Sequence, residues 1–199
     1  MSHRLVFATT NPGKLRELRA LVGEQFEVQS ATEAAAGLEV VEDQPDFAGN
    51  ARKKAQEFLK ATGLPSLADD SGLCIDALGG EPGVYSARWE ETDTRRIEKA
   101  LRKLVGVIEL KRTARFVCAL CLAMPDGRLI EVQGRCEGLI TREPRGANGF
   151  GYDPIFQVAG LNKTMAELTL DEKSAHSHRG AAFRELHPRM VAAFGLGSG

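Results

Sequence analysis

Apolar positions along the 199-residue chain recur with two periods, and their alternation predicts the order of elements. RLVFAT, residues 4–9, is a run of strand length, followed by the turn signal Asn11-Pro12-Gly13. In KLRELRALVG, which comes next, Leu15, Leu18 and Leu21/Val22 share one helical face with charges opposite. FEVQSA (26–31) reads as a second strand, and 32–46 is acidic and poorly periodic. From Phe47 a helix carries Ala51, Ala55, Phe58 and Leu59 inward and stops at Gly63. SLAD (66–69) is a short apolar strand, and LCIDALGGEPGVYSARW is a loop-rich connection. Residues 92–106 are helical, with Thr92 or Thr94 as N-cap and Ile97, Leu101 and Leu104/Val105 on one side. ARFVCALCLAM and RLIEVQGRCEGLIT, separated by PDG, form the strongest hairpin signal in the chain. YDPIFQV (152–158) reads as a strand, and 171–194 as a C-terminal helix that Pro188 interrupts.

Strand-helix units combined with one long antiparallel hairpin predict an α/β fold with a mixed sheet. No repeat or low-complexity linker divides the chain, so 1–199 reads as one domain, or two lobes sharing a core, with 196–199 as a frayed tail.

Composition narrows the partners. With 26 basic and 27 acidic residues and a formal charge of −1, the chain calls for neither nucleic acid nor a membrane surface, so an anionic ligand must be held by a local site. The N-terminal apolar stretch is too short for a signal peptide, and no later run approaches the ~18 residues of a membrane span, so a cytoplasmic enzyme or binding protein is expected. Cys118 and Cys121 have C-x-x-C spacing, but on a strand residues three apart face opposite ways, which predicts buried structural thiols.

Four loops offer chemistry. In TTNPGK (9–14) a glycine-containing turn opens a helix, where free backbone N–H groups and Lys14 suit phosphate; an ordinary strand-to-helix turn is the alternative. It is not a Walker A loop, because Ala8 and Leu15 stand where Gly and Ser or Thr are required. In LADDSG (67–72) two aspartates follow a strand. Since neighbours on a strand face opposite sides, one should address a cleft and the other brace the loop. Upstream, Glu39, Glu42, Asp43 and Asp46 offer a carboxylate to Mg2+, or form a solvated acidic loop. RGANGFGYDPIF (145–156) pairs close-approach glycines with Phe150 and Tyr152 as an aromatic face for a base, or is a glycine-rich turn over core aromatics. In DEKSAHSHRG (171–180), Lys173 and Arg179 suit an anion or a base edge, while histidines two apart on a helix do not share a metal.

ATTNPGKLREL, FAGNARKKA, LADDSGLCIDALGGEPGVYSARW, GFGYDPIF and ELTLDEKSAHSHRG together resemble the inosine triphosphate pyrophosphatase family, the bacterial XTP/dITP diphosphatases, in the family's order from residue 4 to about 182. The resemblance implies an elongated mixed sheet with flanking helices, two lobes around a nucleotide-binding cleft, and a cytoplasmic homodimer. It also implies Mg2+-dependent hydrolysis of ITP, dITP and XTP to monophosphate and pyrophosphate, which clears noncanonical purines from the nucleotide pool. By residue, Thr9, Thr10, Asn11, Pro12, Gly13 and Lys14 match the triphosphate loop, and Lys54 matches a phosphate-reaching lysine. Asp70 matches the proton acceptor and metal ligand, Glu42 the second metal residue with Asp43 as rival, and Ser71 a substrate contact. Phe150, Gly151, Tyr152 and Asp153 match the base-pocket stretch, and Lys173, His178 and Arg179 the residues that hold the base and its 6-keto edge. One departure is Gly49-Asn50-Ala51, where family members commonly have Glu-Asn-Ala; it leaves more of the metal shell to Glu42.

Two other readings share these loops. A septum-formation-inhibitor-type pyrophosphatase would take pyrimidine or modified nucleotides, against which the SHRG segment argues. A nucleotide sensor would keep the pocket without the chemistry, as Gly49 hints.

Overall fold

The structure, a computed structural model, describes residues 2–196; Met1 and residues 197–199, most of the expected frayed tail, lie outside the described residues. Six strands, β1 (His3–Phe7), β2 (Phe26–Ser30), β3 (Ser66–Ile75), β4 (Thr113–Ala123), β5 (Leu129–Ile140) and β6 (Phe156–Val158), follow the order β2-β1-β3-β4-β5-β6. β1 is parallel to β2, with Leu5 opposite Val28, and to β3, with Phe7 opposite Leu67; β5 and β6 are antiparallel. The helices are α1 (Pro12–Val22), α2 (Ala31–Ala34), α3 (Phe47–Thr62), α4 (Asp93–Lys103), α5 (Leu170–His176) and α6 (His178–Ala193). This is the mixed sheet with flanking helices that the pattern predicts.

Contacts divide the chain into two compact units, the first holding residues up to Asp70, Cys118–Gly134 and those from Ala182 on, the second holding Ser71–Val117 and Arg135–Ala181. In the first, strand alternation feeds two apolar clusters. Leu5, Phe7, Leu67, Cys118, Leu120 and Leu122 join one with Leu18, Phe183 and Leu186. Val6, Ala8, Ala68, Ala119, Cys121 and Ala123 join the other with Ala51, Ala55 and Phe58 of α3. A strand covered on both faces needs apolar residues throughout, which is why RLVFA and VCALCLA read as unbroken runs. Cys118 and Cys121 fall in different clusters as free thiols. The second unit packs Leu73, Ile75, Phe116, Ile140, Tyr152, Ile155, Phe156 and Met165 into its own core.

Three expectations need correction. β3 is ten residues long, not four, so Asp69 and Asp70 lie inside a strand; Leu73 and Ile75 beyond them are core residues, and the strand continues to bury them. The expected strand at 152–158 begins as a 3-10 turn, Asp153–Ile155, where Pro154 lacks a ladder donor, and only Phe156–Val158 pairs. The C-terminal helix breaks at Ser177 and not at Pro188: Ser177 is extended, its Oγ accepts the Gly180 N–H at 3.1 Å, and α6 runs on through Pro188.

Candidate active site

In the first unit residues 9–14 form the cap of α1. Asn11 is its N-cap, with Oδ1 accepting the N–H groups of Gly13 at 2.9 Å and Lys14 at 3.1 Å, while the Asn11 N–H donates to Thr9 Oγ1 at 3.1 Å. Two donors that the sequence offers to phosphate are thus held by the Asn11 side chain. Thr10 and Pro12 are exposed.

Lys14 forms an ion pair with Asp69, whose side chain is fully buried. The second Asp69 oxygen accepts from Cys118 Sγ at 3.2 Å, and its backbone carbonyl accepts from Lys54 Nζ at 2.7 Å. One residue therefore fixes two lysines, by side chain and by main chain. Lys54 Nζ also lies 2.5 Å from Glu42 Oε1, so the acidic loop is tied to β3 through this lysine. The rival Asp43 is exposed and bound to Lys53 and Gln44, which hold its carboxyl below the usual range.

Asp70 is buried, and its Oδ2 accepts from Asn50 Nδ2 at 2.9 Å. Burial pushes its carboxyl up to about 6; Lys54 and Lys14 oppose that, Glu42 adds to it, and the Asn50 hydrogen bond opposes it again. At neutral pH the group is ionised yet basic enough to accept a proton. Asp46 caps α3 by accepting the Gly49 N–H at 2.7 Å, and a Cβ on Gly49 would stand 2.8 Å from Gln44 Cβ.

In the second unit Asp153 organises the glycine-rich loop. Its Oδ2 accepts from the Phe150 N–H at 2.9 Å and from Lys173 Nζ at 2.6 Å, both carboxylate and ammonium being buried. Gly149 has φ +81°, and a Cβ there would meet the same oxygen at 2.1 Å, so only glycine fits. Lys173 Nζ sits 4.8 Å above the Phe150 ring and the Arg179 guanidinium 6.0 Å from it. Arg179 is almost wholly buried and donates to Ser71 Oγ at 3.1 Å. The Gly151 N–H donates to Asp93 Oδ2 at 2.7 Å, which ties the loop to the start of α4.

His178 lies flat against Phe116, with centroids 4.8 Å apart and planes 14° apart. Tyr152 belongs to the core: its hydroxyl donates to Ser86 O at 2.9 Å, and burial pushes its pKa up. Of the two aromatics foreseen as a base face, Phe150 is the one with cations over its ring.

Sequence reasoning gave no site role to Asn50, Asp93, Phe116 or Cys118. Asn50 had a legible signal, a polar side chain on the inward face of a helix next to Ala51; the others meet their partners only through packing.

The Ham1 family model matches residues 5–189. The chain is 46% identical over 195 residues to a dITP/XTP pyrophosphatase of Streptomyces avermitilis, covering 93% of this chain and 96% of that one. It is 51% identical over 187 residues to one of Gloeobacter violaceus, covering 94% and 93%. The solved Ham1 protein of Staphylococcus aureus superposes with a TM-score of 0.85 at 37% identity, covering 96% of this chain and 99% of that one. With the aspartate pair, the glycine loop and the cations set on Phe150, these likenesses lead to one conclusion: the chain belongs to the Ham1 family.

Proposed function

We propose that this chain is a pyrophosphohydrolase that converts dITP, XTP and ITP to the monophosphate and pyrophosphate. The observation that carries the reading is Asp70: a buried strand carboxylate, held by Asn50, raised to about 6, and set in the field of Lys14, Lys54 and Glu42. The relatives named dITP/XTP pyrophosphatases support the substrate class.

In this reading the first unit's residues work on the phosphates. Asp70 takes the proton of the attacking water, and attack falls on the α-phosphorus, so pyrophosphate leaves. Lys14 and Lys54, paired with Asp69 and Glu42, would supply positive charge to the phosphate oxygens. The Gly13 and Lys14 N–H groups become donors to the leaving group once the Asn11 side chain gives them up.

A divalent metal fits the donor set. Glu42 and Asp70 are hard oxygen donors brought to one lysine, since Lys54 Nζ meets both Glu42 Oε1 and the carbonyl of Asp69, the residue before Asp70, and two carboxylates completed by phosphate oxygens and water would make a Mg2+ shell. Mg2+ bound by Glu42 and Asp70 would neutralise phosphate charge.

The second unit's residues read the base. A purine stacks on Phe150, and a 6-keto oxygen accepts from His178 and Arg179; the 6-amino group of adenine would leave those donors unmatched, at about 1–3 kcal/mol each. Ser71, Lys173 and Asp153 keep Arg179 and Phe150 in place. On the resemblance alone we also assign a cytoplasmic homodimer; light scattering that returns the mass of one chain would remove the dimer.

The deciding assay incubates the purified protein with ITP and Mg2+ and separates the products. IMP and pyrophosphate are expected, and IDP with phosphate would overturn the α-phosphorus assignment. A panel with ATP and pyrimidine triphosphates should give much slower turnover.

A further inference from the structure

We propose that Asn50 is a positioning residue for the reaction: its amide orients Asp70 and, with its other end, fixes the loop that carries Glu42. The proposal rests on the role assigned to Asp70 above.

Asn50 sits in the first turn of α3 and has no exposed surface. A buried primary amide is unfavourable unless both ends are met, and here both are. Oδ1 accepts the Gln44 N–H at 3.0 Å, and Nδ2 donates to Asp70 Oδ2 at 2.9 Å. The orientation is forced by chemistry, because an N–H can be met only by the carbonyl end and a carboxylate only by the NH2 end. The backbone does not depend on this side chain: the Asn50 N–H donates to Asp46 O at 3.2 Å as an ordinary helical bond.

Two consequences follow for the chemistry. Holding Oδ2 fixes the rotation of the Asp70 carboxylate and leaves the direction of Oδ1 defined. Gln44 stands two residues after Glu42, so the same amide that sets Asp70 anchors the segment presenting Glu42. Gly49 belongs to this arrangement. Gln44 lies so close over the first turn of α3 that a Cβ at 49 would come within 2.8 Å of its own Cβ, and glycine lets the Gln44 N–H reach Asn50. Glycine in place of the family's glutamate thus has a local use in this chain.

The test measures ITP hydrolysis by N50L and N50S, with folding checked by circular dichroism and thermal midpoint. A misaligned reactive group lowers kcat about 10–100-fold, while the KM for ITP stays within about twofold because base contacts are untouched. If N50L does not fold, N50S, which is smaller and keeps a hydroxyl, decides alone. Parent-like kcat in either folded variant overturns the proposal, as does a rise in KM with kcat unchanged. D70N is run in parallel: loss of turnover there with parent-like N50S removes only the Asn50 role, whereas turnover by D70N removes the Asp70 assignment and this proposal with it.

A second readout is independent of activity. N50D sets two carboxylates against each other and should lower the thermal midpoint, and adding D70N restores an amide against a carboxylate, so D70N should raise the midpoint more in the N50D background than in the parent. An equal effect of D70N in the two backgrounds overturns the contact.

Discussion

Lys173 and Asp153 form an ion pair, Nζ to Oδ2 2.6 Å, with both side chains buried in the second unit and the same oxygen holding the Phe150 N–H. The pair links a helix residue to the glycine loop 20 positions earlier, so the aromatic platform and the cation above it are set together. Removing one partner leaves a buried charge without its counterpart, which destabilises by about 3–5 kcal/mol. D153A should therefore lose most of that in urea unfolding, far more than an exposed pair such as Arg189 with Glu185, whose removal should change stability by less than about 1 kcal/mol.

Asp70 opposes stability through its burial. Its folded pKa is raised from 3.8 to about 6, so its contribution to stability is fully present below about 3.8 and lost as pH rises through 6. Above that window the ionised, buried carboxylate destabilises the fold by on the order of 3 kcal/mol, an amount D70N is spared. In EDTA, the thermal midpoint of D70N should exceed the parent's at pH 8 and converge with it near pH 4, with hydrolysis lost throughout. Equal midpoints at pH 8 would refute the burial argument.

Gly149 is a separate check on the base loop. Its φ of +81° and the 2.1 Å approach of a Cβ to Asp153 Oδ2 leave no room for alanine. G149A should displace the carboxylate that holds Phe150 and Lys173, cutting kcat/KM for ITP by about tenfold or more. Steady-state kinetics decide it.

Phe116 is expected to support selectivity through His178. F116L keeps an apolar side chain but removes the flat face on which His178 rests. The ratio of kcat/KM for ITP over ATP should fall roughly tenfold as His178 loses its fixed plane. An unchanged ratio in the folded variant would mean that His178 is held by other contacts.

Much of the fold was legible because it is written in local period. β1, α1, α3, α4 and the β4–β5 hairpin lie within a few residues of where alternation and helical spacing put them. The errors fell where a local signal competed with burial. Asp-Asp-Ser-Gly reads as a strand end, yet partners for both carboxylates let β3 continue to Ile75. Pro188 reads as a helix stop, yet Ser177 makes the break.

The candidate site divides the same way. The sequence alone determined which loops offer chemically capable side chains, that neighbouring aspartates would face different partners, and which residue types suit phosphate or a base, because these follow from side-chain chemistry and strand alternation. Only the tertiary structure decided that Asp69 fastens Lys14 and Lys54, that Glu42 and not Asp43 meets Lys54, and that Asn50 donates to Asp70. Those partners are 12 to 55 positions apart along the chain, and local periodicity says which face is buried but not which distant side chain will share it.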